Sequence, residues 1–477
     1  MREQLVFYVN GRRLEYGGSD AFRTLSEFLR ERLVLTGTKS VCAEGDCGSC
    51  SVLVGRLVNG TLEYRSVDSC IQLMFQLDGT HVVTVEGLRQ GEELSPVQRS
   101  MVELHGSQCG YCTPGFVVAM TGLLENQSQP TEAEWRCGLT GNLCRCTGYS
   151  SILAAGCQAA NEPRTSLSEL YPEAEMLAEF QRLQAEPALI QSWPLRVFSP
   201  VELPPAIQFL AEHPQAKIVA GGTDVGVQIN KRVIAPEVFL DLNRVAELTT
   251  VAVEQNEIVC GARARWIDLE TVCQAHAPEF TEIIAIFGSP QIRHVGTIGG
   301  NIVNASPIAD SLPFLIVCDA ELEIVGPQGA RTVNINSFYH GYRKTDLKPG
   351  ELLTRVRIPL PTAEQQLSLY KVSRRRDLDI STFTAALLLT IENETIQDAR
   401  IALGAVGPTV LRVKKTEAFL RGKPFTEQTM KTAGELAVEE VTPISDVRGS
   451  ADFRWQLTRN VFLKFFHERR SAAAYSA

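Results

Sequence analysis

A chain of 477 residues exceeds what one hydrophobic core ordinarily serves and suits about three domains. Its 44% hydrophobic and 21% charged residues fit a soluble globular protein, and a net charge of −9 gives no electrostatic reason to expect nucleic acid or an anionic membrane as partner. Met1–Leu5 lacks the apolar run of a signal peptide and no stretch reaches about 18 uninterrupted apolar residues, so a cytoplasmic location is expected.

Leu5–Val9 alternates with strand period, meets the hairpin pair Asn10-Gly11, and returns through Arg12–Tyr16. Leu25, Phe28, Leu29 and Leu33 recur at helical spacing. Short strands at Ser51–Val54, Leu62–Arg65 and Val82–Val85 surround a cysteine-rich loop, which together predicts a small mixed sheet gripping one helix. From about residue 95 the pattern turns helical. Ser95-Pro96 is an N-cap with Pro at the first helical position before Val97–His105. Thr113-Pro114 opens a helix through Leu124, Thr131 and Glu134 form a capping box, and a fourth helix follows Gly148. Residues 161–195 are polar, acidic and Pro-punctuated, and read as a linker. Strands and helices alternate over 196–360. Further strands near Ala385–Ile391 and Ala399–Ala405 precede helices through Thr416–Leu420 and Phe453–Glu468.

Of thirteen cysteines, ten precede residue 160. Disulfides are unusual in a reducing compartment, whereas thiolate ligation of metal is not. Cys42-x4-Cys47-x2-Cys50, followed by Cys70, has the plant-type [2Fe–2S] spacing. Gly45 and Gly48 permit turns that aim N–H groups at the sulfurs. Zinc knuckles, the alternative, usually present paired Cys-x2–4-Cys elements. Cys109-Gly-Tyr-Cys112 and Cys144-Arg-Cys146 form a second set, each just before a helix, where orphan N–H groups favour anions. By pattern alone this set suits zinc, iron–sulfur or a redox dithiol equally. Cys137, Cys157, Cys260, Cys273 and Cys318 read as buried small hydrophobes.

Gln108–Phe116 and Gly141–Tyr149, with the ferredoxin spacing before them, resemble the iron–sulfur domains of the molybdenum hydroxylases, xanthine dehydrogenase type. That resemblance implies two [2Fe–2S] clusters. The one on Cys109, Cys112, Cys144 and Cys146 would lie nearest a molybdenum cofactor, with Gln108 close to the pterin. The one on Cys42, Cys47, Cys50 and Cys70 would pass electrons toward flavin.

Lys217–Gly226 is an apolar strand running into a Gly-rich turn, which lets N–H groups approach a diphosphate; alone it is equally a tight loop. A second Gly-rich segment, Ile292–Pro307 with Asp310, follows about eighty residues on. Together they resemble the FAD-binding domain shared by vanillyl-alcohol-oxidase-like flavoproteins and the molybdenum hydroxylases. The likeness implies that Ile218, Val219, Ala220, Gly221, Gly222, Thr223, Asp224 and Val225 wrap the pyrophosphate. It further implies that Thr297, Asn301 and Asp310 hydrogen-bond FAD, that Phe287 stacks on the flavin, and that Leu353 and Lys371 contact the cofactor. Tyr342–Thr345 and Tyr370–Ile380 also match, with Arg374–Arg376 setting the field near the flavin, although a charge run is usually a solvated face.

The expected architecture is α+β and multidomain: a β-grasp [2Fe–2S] ferredoxin domain (1–90), a four-helix [2Fe–2S] domain (91–160), the linker (161–195), an α+β FAD-binding domain (196–365) and a C-terminal α+β domain (366–477). No catalytic acid or base is assigned, because the family's molybdopterin domain is missing from this sequence. A large molybdopterin-binding partner subunit in an α2β2 heterotetramer is therefore expected, with NAD+ as acceptor and hypoxanthine/xanthine oxidation to urate as the overall reaction. Rival readings are the electron-transfer subunit of another molybdenum hydroxylase acting on aldehydes or N-heterocycles, a stand-alone NADH-dependent reductase, and a zinc-stapled binding scaffold.

Overall fold

Alternating apolar residues and tight turns at the start of the chain build a five-stranded mixed sheet. Strands β1 (Leu5–Val9), β2 (Arg12–Tyr16), β3 (Ser51–Val58), β4 (Thr61–Asp68) and β5 (Thr80–Val83) lie in the order β2-β1-β5-β3-β4, with β1 and β5 parallel. Asn10 and Gly11 both have positive φ (49° and 78°), as the hairpin signal requires. The structure is a computed structural model describing residues 1–476, with side chains to Ser471. The helix over Leu25–Leu33 is not a plain α-helix. One α-turn (Leu25–Glu27) widens into a π-turn (Phe28–Arg32) closed by the Leu33 amide on the Phe28 carbonyl, and Leu25, Phe28 and Leu29 all reach the core.

The four helices expected next are Pro96–Glu103, Thr113–Asn126, Glu132–Gly138 and Ser150–Ala160. Ser95 and Thr131 each close a capping box. The stretch 161–195 departs from the expectation of a patternless linker. It carries helices Leu167–Leu170 and Ala174–Leu183 and strand β6 (Ala188–Ser192). Met176, Phe180 and Leu183 recur at i, i+4 and i+7 and are buried, a stripe masked by the polar residues Glu179, Gln181 and Arg182 between them. Tyr8 and Arg13 bond Glu179 at 2.9 and 2.7 Å, and Tyr171 donates to the Gly87 carbonyl at 2.5 Å, fastening this segment to the first sheet.

Strand β6 pairs with β7 (Leu195–Ser199), and the sheet continues through β8 (Lys217–Val219) and β9 (Val238–Asp241) in the order β6-β7-β9-β8. Its Ile190, Val197, Val219 and Phe239 share one core with Leu5, Phe7, Phe28 and Phe75 of the first sheet. That shared core places Met1–Glu247 in one compact unit, together with Ser289–Gly296, so no unit boundary falls at residue 195. Gln291 donates to Asn142 Oδ1 (2.9 Å) and Ser51 Oγ (3.2 Å), which ties the inserted segment there.

The second unit comprises Leu248–Gly288 and Thr297–Ala477. One antiparallel sheet joins β10 (Val251–Glu254), β11 (Glu257–Gly261), β12 (Glu321–Gly326), β13 (Gly329–Asn334) and a long strand Leu352–Pro359, around a core that includes Trp266, Phe280 and Phe314. A four-stranded meander over Gln365–Val372, Phe383–Glu392, Thr395–Gly404 and Leu411–Arg412 packs against Glu427–Glu439 and the closing helix. The Glu427–Glu439 helix was not apparent in the sequence pattern. Among the described residues no helix is long and apolar enough to cross a membrane.

Candidate metal centres and cofactor loop

The loop between the π-turn and β3 presents Cys42, Cys47 and Cys50, and Cys70 follows the end of β4. Three positive-φ residues, Ala43, Gly45 and Gly48, fold this loop back on itself (φ 55°, 71° and 67°). At Gly48 a Cβ would overlap the Gly141 carbonyl oxygen, so only glycine lets the two cysteine-bearing loops approach. The Glu44 N–H donates to Cys42 Sγ at 3.4 Å. Cys42 is drawn far below the usual thiol range by hydrogen bonds from the Cys47 and Cys70 thiols, which are themselves driven up as donors. Cys70 also meets Cys50, and both are 2% exposed.

In the helical domain Cys112 is the N-cap of Thr113–Asn126, and Cys144 and Cys146 precede Ser150–Ala160. Cys109 and Cys146 approach to 3.6 Å, and Cys112 bonds Cys144. Burial, then the contact with Cys144, pushes Cys112 up to about 12. Cys144 is drawn down: burial opposes it, but the Thr147 hydroxyl and N–H bond its sulfur at 3.1 and 3.4 Å. The Tyr111 N–H, followed by the Cys146 thiol, lowers Cys109.

In the second tetrad the sulfurs therefore meet in pairs, Cys109 with Cys146 and Cys112 with Cys144, whereas the contacts of the first run Cys47–Cys42–Cys70–Cys50. A metal–thiolate bond of about 2.3 Å makes the S···S edge of a tetrahedron about 3.8 Å, close to the Cys109–Cys146 separation. The two pairs of the second tetrad suit two irons bridged by sulfide, whereas zinc needs the whole set around one point. The eight thiols fit two binuclear clusters. Cys137 is exposed, so it is not the buried small hydrophobe expected, and Cys157 is half-buried; Cys260, Cys273 and Cys318 are buried.

The two tetrads are joined directly. The Leu143 N–H, one residue before Cys144, donates to the Cys47 carbonyl at 3.0 Å, and Asn142 donates to the Gly48 carbonyl at 3.1 Å. The rim around the second tetrad is open: Gln108, Cys109, Tyr111, Arg145, Cys146 and Tyr149 are exposed.

Still in the first unit, β8 runs into Ala220-Gly221-Gly222 and the Thr223–Asn230 helix, with Gly222 as N-cap at φ 76°. The helix begins with N–H groups lacking intrahelical acceptors, suited to a diphosphate. Gln76 donates to the Ala220 carbonyl (3.1 Å) and Asn243 to the same oxygen (2.7 Å), holding the turn from behind. Neither residue was marked by sequence, since each acts across a long chain separation.

In the second unit, Phe287 meets Trp266 edge-on at 4.9 Å. Thr297 caps Ile298–Asn304 by accepting the Gly300 N–H, and Asn301 Oδ1 accepts from Ser311 at 2.6 Å. Asp310 takes Lys371 Nζ on one oxygen and Ser381 Oγ on the other, both at 2.5 Å, in a pair whose side chains are 6% and 2% exposed. Ser381 was missed, although it immediately follows the Tyr370–Ile380 match. Leu353 is buried in the sheet core, paired with Ile324. Arg375 pairs with Asp379, and Arg374 donates to the Val447 carbonyl.

Residues 84–157 match the model of a [2Fe-2S] binding domain, 193–361 that of the FAD binding domain in molybdopterin dehydrogenase, and 368–469 that of the CO dehydrogenase flavoprotein C-terminal domain. A chain of quinoline 2-oxidoreductase from Pseudomonas putida 86 is 32% identical with a TM-score of 0.53, over 58% of this chain and 96% of its own. The chain belongs to the molybdenum hydroxylases. It carries their iron–sulfur and FAD-binding domains. Within that family, a chain of carbon monoxide dehydrogenase from Hydrogenophaga pseudoflava is 31% identical with a TM-score of 0.54, over 56% of this chain and 94% of its own. Xanthine dehydrogenase 1 of Arabidopsis thaliana and xanthine dehydrogenase/oxidase of Mus musculus are each 32% identical over 97% of this chain. The chain spans 39% of the length of those two molybdenum hydroxylases.

Proposed function

We propose that the chain is the electron-transfer subunit of a xanthine dehydrogenase. A partner subunit would carry the molybdopterin site where hypoxanthine and xanthine become urate, and NAD+ would be the acceptor. Cys42, Cys47, Cys50 and Cys70 would ligate one [2Fe–2S] cluster, and Cys109, Cys112, Cys144 and Cys146 the other. Residues 218–225 would hold the FAD pyrophosphate. In the second unit Phe287, Thr297, Asn301, Asp310, Leu353 and Lys371 would contact FAD. The clusters supply single-electron carriage and the flavin supplies hydride transfer when bound. The chain's own residues place and insulate them: the Cys47–Leu143 hydrogen bond couples the tetrads, and the buried Asp310–Lys371 pair keeps one cation fixed in a dry setting. The expected domain limits (1–90, 91–160, 196–365 and 366–477) belong to this reading, as does a cytoplasmic α2β2 assembly.

One observation carries the choice of xanthine dehydrogenase. Xanthine dehydrogenases match this chain over 97% of its length, in one polypeptide and one order, while the matching chains of the carbon monoxide and quinoline enzymes cover 56–58% of it. The quinoline match favours a second reading, in which the partner oxidises an N-heterocycle and uses another acceptor. Anaerobic mixing of the native complex with xanthine, quinoline or an aldehyde decides between them. Xanthine alone should bleach the flavin and iron–sulfur absorbance, and NAD+ should restore it. Bleaching by quinoline but not xanthine, or purification without a molybdenum-bearing partner, would defeat the proposal.

A further inference from the structure

The Thr223–Asn230 helix is tied to the ferredoxin-like sheet at both ends. At its start, Gln76 holds the Ala220 and Gly221 carbonyls at 3.1 and 3.4 Å. At its end, the Asn230 amide spends its donors on two backbone oxygens of the first cysteine tetrad's loops, Cys70 at 2.8 Å and Ala43 at 2.9 Å. Midway, a Cβ on Gly226 would overlap the Ile71 carbonyl oxygen, so the helix lies directly on the strand end that bears Cys70. Eight residues make a bar of about 12 Å.

The Ala43 carbonyl belongs to the same peptide group whose N–H, on Glu44, donates to Cys42 Sγ at 3.4 Å. Ala43 has φ 55°, a left-handed conformation disfavoured for any residue with a Cβ. Something must hold that peptide in place, and Asn230 bonds its oxygen. Donation to a carbonyl also polarises the peptide and strengthens its N–H as a donor. Reduction adds negative charge to the sulfurs, and an N–H···S bond stabilises the reduced state more than the oxidised one. The neighbouring Lys231–Glu44 pair (2.7 Å) is solvent-exposed and contributes little.

We infer that Asn230 is a positioning residue for the cluster on Cys42, Cys47, Cys50 and Cys70. It aims the Glu44 N–H at the Cys42 sulfur, raises that cluster's reduction potential, and locks the cluster loop to the helix that begins at the glycine turn. The inference rests on the cluster and flavin reading above.

The test is a redox titration of the purified holoprotein followed by EPR, in which the two clusters give separate signals. Asn230→Leu keeps the side chain's size and removes both donors, and Asn230→Asp replaces them by acceptors facing two carbonyls. Either change should shift the electron equilibrium between the clusters about tenfold away from the first tetrad, about 59 mV for one electron. The first cluster's g-values should move while the second cluster's signal stays as an internal reference, and Asn230→Gln should recover part of the shift. Loss of the first cluster alone, with half the iron and the second signal retained, would also support the inference. Unchanged potentials and g-values in both variants at full iron content would overturn it. Failure of the underlying reading looks different: the unmodified protein would lack one [2Fe–2S] signal, or would hold both clusters but no flavin.

Discussion

Lys371→Met is expected to be among the most damaging single changes in the second unit that leaves its volume nearly unaltered. Lys371 and Asp310 sit 2.5 Å apart with side chains 2% and 6% exposed, so the survivor of a single substitution cannot be rescued by water. A surface pair in the same geometry would contribute about 0–1 kcal/mol; removing one member of a buried pair costs about 3–5 kcal/mol, because a charge is left without its partner. Asp310→Asn should cost a similar amount, since Ser381 keeps an acceptor but Lys371 loses its counter-charge. The double variant buries no charge and should recover most of the loss, giving a coupling of about 3 kcal/mol between the sites. Urea-dependent hydrogen exchange on peptides 365–372 and 383–392 is the appropriate readout, because two compact units need not unfold together. Single variants that each lose under about 1 kcal/mol, or a double variant as damaged as the two singles summed, would refute the argument.

His81 is buried, accepts the Gly11 N–H on Nε2 and meets Tyr64 through Nδ1, and burial lowers its pKa from 6.5 to about 4. The unfolded chain therefore binds the extra proton between those values, and stability falls as pH drops through the window, by about 2 kcal/mol between pH 7 and pH 5; urea midpoints should lose that slope in His81→Gln, and an unchanged slope would assign it elsewhere. Cys146→Ser should remove the second cluster and half the iron, whereas Cys137→Ala, on an exposed face of Glu132–Gly138, should leave iron content intact by metal analysis. Gly221→Ala would drive a Cβ into the Val295 carbonyl oxygen; such overpacking costs about 1–3 kcal/mol, and the flavin-to-iron ratio should fall with iron unchanged.

What the amino-acid sequence determined by itself is short-range. The hairpin at Asn10-Gly11, the caps at Ser95 and Thr131, the cysteine spacings and the glycine turn after β8 are each set within a few residues, because dihedral preference, capping and ligand bite act over that distance. Its errors fell where a local rule met a long-range one. The stripe of Met176, Phe180 and Leu183 has a helical period, but Tyr8, which meets Phe180, and Arg13, which pairs with Glu179 beside it, lie more than 150 residues away, so the segment reads as a linker until the first sheet is there to receive it. Only the tertiary structure decided which sulfurs pair, since Cys109 with Cys146 joins two loops 37 residues apart. It likewise brought Lys371 onto Asp310 and Asn230 onto Cys70. It also moved Ser289–Gly296 out of its sequence neighbours' unit and into the first. Such contacts carry no period and no motif: they exist because buried donors, acceptors and charges must find partners wherever the packed chain supplies them.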